Sequence, residues 1–160
     1  MNQIRLRKFE DNDIELFETW LYQEHVKKWY TQPEEWLNEV IKRETDFLFV
    51  KHFIVELEGK AIGFCQFYDY AFGNEIWHGT MKVENAFSID YMIGESDYLG
   101  KGYGTQIILK LEEEIRTHTK AENIIVQPDL NNKNSRNTLN AAGFLYDSIN
   151  DVFYKSLSNI

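Results

Sequence analysis

The stretch "FSIDYMIGESDYLGKGYG", residues 87–104, restricts the possible folds more than any other part of this chain. An apolar run with period-2 alternation carries a carboxylate, Asp90, and is followed by Gly100, Gly102 and Gly104. Glycine weakens regular structure, and a carboxylate inside a strand is costly to bury without a partner. Alternation predicts Phe87, Ile89, Tyr91 and Ile93 on one face of a strand, with Ser88, Asp90 and Met92 on the other. The glycines then open a helix whose buried face is Ile108, Leu111 and Ile115, with Glu112–Glu114 mostly on the wet side. Such a turn leaves backbone N–H groups unsatisfied at a helix N-terminus, where the helix dipole favours an anion. Lys101 offers a point charge and Thr105 a hydroxyl. The same glycines would also serve simply to let strand and helix pack closely. The turn has no Walker lysine–serine ending, and no βαβ unit with a ribose-binding acid follows it.

Around this stretch the chain reads as regular elements without repeats, linkers or low-complexity tracts. "IRLRKF" (4–9) alternates as a strand with one wet face. "DNDIELFETWLYQEHV" places Ile14, Phe17, Trp20 and Leu21 on one helical face behind Asn12 or Asp11 as N-cap. "TQPEEWLNEVIKR" opens with Thr31 and Glu34 at capping-box spacing, followed by an apolar stripe of Trp36, Leu37, Val40 and Ile41. "DFLFVKHFIVEL" and "AIGFCQFYDY" form a hairpin about "EGK", with glycine available for positive φ. "NIIVQPD" is a fully apolar inner strand, "NNKNSRNTLNAAGF" a capped helix ending at Gly143, and "DVFYKSL" a last strand. The order β-α-α-β-β-β-α-β-α-β-β predicts a mixed α/β (α+β) sandwich rather than a doubly wound fold.

The length of 160 residues predicts one domain, 1–160, large enough for a real core. A net charge of −9 argues against nucleic acid or an anionic membrane as partner and is compatible with a cationic ligand. No stretch is long and apolar enough to span a bilayer, and "MNQIRLRKFE" lacks a signal's apolar core, so a cytoplasmic location is expected. The single cysteine, Cys65, excludes an internal disulfide and reads as a small buried hydrophobe. The four histidines show no metal-ligand spacing, and no metal is expected.

"IDYMIGESDYLGKGYGTQIILKLEEEI" followed by "IIVQPDLNNKNSRNTLNAAGF" resembles the GNAT (Gcn5-related) N-acetyltransferases. Within them the chain is most similar to aminoglycoside 6'-N-acetyltransferases, whose look extends to "IRLRKFEDNDIELFETWLYQEHVKKWY", "AIGFCQFYDY" and the aspartate after "VQP". The resemblance implies the GNAT fold, a twisted mixed sheet of about six to seven strands flanked by about four helices. It implies acetyl-CoA as co-substrate, bound by Tyr91, Met92 and Ile93 of the strand, by the turn Leu99, Gly100, Lys101, Gly102, Tyr103, Gly104 and Thr105, and by Asn132. It implies acetyl transfer to a small-molecule amine, direct because no Cys or Ser lies at an evident activated position, and a monomer or homodimer is expected. Two departures stand out. Leu99 replaces the family's usual Arg or Gln, which the aminoglycoside subgroup tolerates. Leu139 stands where the family often has a tyrosine that protonates the thiolate, so that task falls to solvent or another group.

Acetyl transfer needs a neutral nitrogen, whereas an amine of pKa ~8–10 arrives protonated. An aspartate near its reference pKa of ~3.9 is a weak base but a good ammonium anchor, and partial burial would raise its pKa. The resemblance assigns Asp90 as that base, directly or through a water; the carbonyl oxygen, which gains charge, would be held by a backbone N–H of the same strand, such as that of Met92. The alternative for Asp90 is a structural salt bridge or a turn acceptor. Trp29, Tyr30, Asp69, Trp77 and Asp129 are the remaining candidates for the acceptor cleft, with Glu75, Trp36 and His78 beside them. Packing for the aromatics, and helix capping for Asp129, are the competing roles. Hydroxylysine-type siderophore precursors and polyamines are alternative acceptors. A non-catalytic CoA-binding sensor is the reading that Leu139 favours.

Overall fold

The computed structural model describes residues 2–158. Seven strands form one sheet: β1 (Ile4–Lys8), β2 (Val50–Leu57), β3 (Lys60–Asp69), β4 (Ala86–Ile93), β5 (Asn123–Val126), β6 (Leu145–Asp147) and β7 (Val152–Ser156). Their spatial order is β1-β2-β3-β4-β5-β7-β6. Five helices cover it: α1 (Ile14–Leu21), α2 (Glu24–Lys27), α3 (Pro33–Ile41), α4 (Tyr103–His118) and α5 (Lys133–Ala141). The β2–β3 hairpin closes through Glu58 and Gly59 at φ +51° and +82°, which matches a two-residue turn of the twist-compatible type.

The alternation predicted on β4 holds. Ile89, with Phe87, Tyr91 and Ile93, packs into the core that α4 covers through Ile107, Ile108, Leu111 and Ile115. Met92 joins the opposite core with Phe17, Trp20, Leu21, Val40 and Phe64. Cys65 is fully buried, and burial pushes its thiol pKa well up, as expected of a packing residue.

Several local expectations need correction. The first helical run is broken at Gln23, whose backbone is extended, giving α1 and the short α2 and raising the helix count to five. Neither Asn12 nor Asp11 caps α1. Residues 11–13 close a 3-10 turn, and Asp13 is occupied by Arg7 at 2.9 Å and by the Glu10 N–H at 2.8 Å. Thr31 lies one residue too early to cap α3, which starts from Gln32 in the left-handed region with Pro33 first. The strand read from residue 46 begins only at Val50, because Phe47–Phe49 are used in a turn. Glu112 is not on the wet face: its carboxylate meets Lys155 at 2.6 Å and Arg116 at 3.0 Å.

One feature of the sheet positions the site. β4 runs parallel to β5, but the pairing consists of Ala86–Asn123 and Phe87–Ile124 alone. Beyond Phe87 the two strands separate, and the sheet opens as a wedge. The Tyr91 hydroxyl spans this wedge to Ser135 Oγ at the start of α5, 2.6 Å away.

Candidate active site

The glycine turn lies between the end of β4 and α4. Gly100 and Gly102 have φ of +71° and +83°, a conformation that side-chain-bearing residues seldom adopt. Gly102 is the N-cap of α4, no side chain caps this end, and no acidic residue occupies the first turn. The N–H groups of Tyr103, Gly104 and Thr105 therefore have no acceptor within the helix. Gly104 serves packing, since a Cβ there would lie 3.2 Å from Thr138 Cγ2 of α5. Leu99 and Lys101 are exposed, and the Lys101 ammonium sits 5.8 Å from the Tyr98 ring. Asn132 caps α5 by accepting from the Ser135 N–H at 3.1 Å, while Leu139 is fully buried.

The separation of β4 from β5 leaves main-chain groups of β4 facing the wedge. The Tyr91 N–H donates to the Tyr30 hydroxyl at 3.2 Å, and that hydroxyl donates to the Tyr91 carbonyl. His25 Nε2 lies 2.9 Å from the Ile93 carbonyl. Tyr91 and Ile93 thus present their backbones to the opening. Met92 does not: pairing with Phe64 turns its backbone toward β3, where its carbonyl abuts Gly63. The β4 N–H groups turned to the wedge are those of Tyr91, held by the Tyr30 hydroxyl, and of Ile93.

Asp90 projects from the face opposite α4, half-buried, on the same side as α1–α3. Gln66 Nε2 donates to its Oδ2 at 2.8 Å. Burial pushes the Asp90 carboxyl up to about 6; the Gln66 hydrogen bond opposes the rise and the charge of Glu75 adds to it. Glu75 itself is held by the Tyr68 hydroxyl and by Trp77 Nε1 at 2.7 Å. Glu39 of α3 is pushed up to about 7, first by burial and then by the charges of Asp90 and Glu75. Three carboxylates from a helix, a loop and a strand therefore share one field. Such a group attracts a polycation and disfavours an anion.

The other sequence candidates divide. Tyr30 reaches the strand through its hydroxyl and stacks edge-on against Trp36, their ring centres 4.9 Å apart. Trp77 is tied to the carboxylate group through Glu75, to which its indole N–H donates. Trp29 is half-buried with the Lys28 ammonium 4.9 Å over its ring. Asp69 accepts from the Ala71 N–H and Asp129 from the Asn131 N–H, so both carboxylates stabilise their own turns. His78 pairs with the Tyr70 hydroxyl at 2.9 Å. Gln66, Glu39 and Tyr68 were not singled out from the sequence. Gln66 had one visible signal, being the lone amide within the apolar run "AIGFCQFY".

Two cavities lie elsewhere: one of about 230 Å³ lined by Arg43, Lys51 and His52, and one of about 360 Å³ along α5 beside Arg136 and Tyr146. Neither is lined by Asp90, Glu75 or Glu39. Among the described residues no cluster of His, Cys, Asp or Glu is placed to hold a metal ion, and no helix is long and apolar enough to cross a membrane.

Comparison with known proteins places these features in a family. The profile of the acetyltransferase (GNAT) domain matches residues 10–151. Aminoglycoside N(6')-acetyltransferase type 1 of Klebsiella pneumoniae is 24% identical over 153 residues, covering 89% of this chain and 74% of that protein. The fold is similar to that of aminoglycoside acetyltransferase AAC(6')-Ib in complex with coenzyme A and kanamycin, at a TM-score of 0.82 and 22% identity, over 97% of this chain and 95% of that one. An aminoglycoside N(6')-acetyltransferase from Legionella pneumophila superposes at a TM-score of 0.71 and 17% identity, over 92% and 83%.

Proposed function

Given that this chain belongs to the acetyltransferase (GNAT) domain family, we propose that it transfers an acetyl group directly from acetyl-CoA to a primary amine of a small polycation, with the 6'-amino group of an aminoglycoside as the foremost acceptor. The observation that carries the acceptor class is the grouping of Asp90, Glu75 and Glu39 beside the unpaired edge of β4. Similarity to enzymes named for aminoglycoside 6'-acetylation supports the choice within that class.

The residues suit the co-substrate. The uncapped start of α4, free of acidic side chains, fits a diphosphate, with Gly100 and Gly102 giving the turn its left-handed shape and Lys101 adding charge. Tyr91 and Ile93 turn their backbones to the wedge, where an extended amide chain would gain strand-like hydrogen bonds by displacing the Tyr30 hydroxyl and the His25 ring. Asp90 anchors the incoming ammonium and accepts its proton, directly or through a water. At pH 7 a carboxyl titrating near 6 is mostly ionised, yet is a stronger base than an ordinary aspartate. The neutral amine then attacks the thioester carbonyl, whose oxygen gains charge opposite the Tyr91 N–H once the Tyr30 hydroxyl turns aside. Collapse releases the thiolate. Leu139 is buried and apolar, so solvent or another group supplies the proton.

Leu139 also favours a second reading, a CoA-binding sensor without catalysis. A thiol-release assay with acetyl-CoA, run side by side with kanamycin, hydroxylysine and spermidine, separates the two. Release with kanamycin alone supports the aminoglycoside reading. Release with either other amine reassigns the acceptor, and CoA binding without any release leaves the sensor.

A further inference from the structure

Behind Asp90 the sheet carries a row of polar side chains that its apolar surroundings do not explain. His52 of β2 stands opposite Gln66 of β3, and Gln66 opposite Asp90 of β4, so the three side chains share one face. His52 and Gln66 are 5% and 2% exposed. The Phe9 N–H bonds the His52 carbonyl at 3.1 Å, which turns the His52 backbone toward β1. The 52–66 pair is therefore of the closely spaced kind, with Cα atoms about 4.5 Å apart and side chains in contact range.

Gln66 spends its amide nitrogen on Asp90 at 2.8 Å. The opposite orientation would set its carbonyl oxygen against the carboxylate. Its Oε1 is dry and without a partner, and so is His52 Nε2 on the neighbouring strand. Among the described residues these are complementary atoms, an acceptor and a nitrogen able to donate. A buried polar atom left unpaired is costly, and two such atoms on adjacent positions remove that cost by meeting.

We propose that His52 and Gln66 are positioning residues for Asp90: His52 Nε2–H donates to Gln66 Oε1, which locks the amide so that its nitrogen holds Asp90 Oδ2 and leaves Oδ1 to the acceptor amine. Burial first, then the charges of Arg43 and Lys51, hold the His52 pKa down to about 4, which keeps the ring neutral with a single N–H, and the relay requires that N–H at Nε2. The groups facing Asp90 are Glu75, Glu39 and the hydroxyls of Tyr68 and Tyr30. The role of the relay in catalysis rests on the proposed function; its existence does not.

Carboxyl 13C NMR titration of Asp90 tests it without turnover. Gln66→Leu removes a bond that favours the charged carboxylate, so the midpoint rises. His52→Phe leaves the amide unlocked and raises it by a smaller amount. His52→Gln restores a donor at the same place and returns the midpoint to its native position. If His52→Phe folds with a native Asp90 midpoint, the relay is overturned. If that variant does not fold, 15N NMR of the native imidazole decides: the Nε2–H form, with a proton protected from exchange, supports the relay, and the Nδ1–H form overturns it. In the thiol-release assay with kanamycin, His52→Phe lowers kcat about tenfold with KM for acetyl-CoA unchanged. Failure of every acceptor would refute the proposed function and leave the titration result standing.

Discussion

Gln66 on β3 and Asp90 on β4 stand directly opposite one another, and the amide of the first donates to the carboxylate of the second at 2.8 Å. This contact opposes the effect of burial, and the balance leaves Asp90 titrating near 6 rather than near its usual 3.8. A group poised there is ionised at neutral pH and still able to take a proton.

The first expectation concerns pH. If Asp90 must be ionised to accept a proton, kcat/KM falls tenfold per pH unit below about 6. Asp90→Asn lowers kcat at least tenfold with CoA affinity nearly unchanged, and abolishes that limb. An unchanged profile in the variant would remove Asp90 from the chemistry.

The same shift has a stability sign. The folded state holds the Asp90 proton more tightly than the unfolded chain, so this group stabilises the fold at acid pH and the benefit fades as pH rises between about 4 and 6. Asp90→Asn therefore gains stability at pH 7–8, by about 1–2 kcal/mol. Thermal melts of both chains at pH 4 and pH 8 check it, with the difference expected at pH 8.

Glu75 raises the Asp90 pKa by its charge. Glu75→Gln should move the acid limb to lower pH and raise KM for a polycationic acceptor roughly tenfold, leaving KM for acetyl-CoA alone. Initial-rate series in each substrate separate the two effects.

Gly102 carries φ +83° at the N-cap of α4. Gly102→Ala costs about 1–2 kcal/mol in that conformation and, on the proposed function, puts a methyl group where the diphosphate would approach. Calorimetric CoA affinity should fall tenfold or more, while Asp90 keeps its titration midpoint.

Gly94, just past β4, packs against the Trp20 indole so closely that an added Cβ would overlap the ring. Gly94→Ala should destabilise the fold by about 1–3 kcal/mol or more, and Gly94→Ala with Trp20→Leu should recover part of the loss. Urea titration of the single and double variants measures the coupling.

The glycine turn and the faces of β4 were legible before the fold because their causes are local. Gly100 and Gly102 mark left-handed backbone, and side chains alternate along any strand. The helix starts were less legible: Asp13, which would have competed for the cap of α1, is taken by Arg7 across from β1. Met92 was expected to present its N–H, yet strand pairing turned that group inward and Tyr91 outward. Which partner each backbone group faces depends on the neighbouring strand, and no spacing along one strand records it.

The amino-acid order alone determined the element sequence apart from the break between α1 and α2, the carboxylate within the strand, the glycine turn before α4 and the acidic balance, since each follows from neighbours within about one helical turn or strand length. Only the tertiary structure decided that Gln66 meets Asp90, that Glu39 and Glu75 join it, that β4 parts from β5 after Phe87, and that Asp69 and Asp129 each accept a hydrogen bond within their own turn. Those outcomes depend on register and burial between residues far apart in the chain, where the cost of desolvating charge is set by whatever the fold brings alongside.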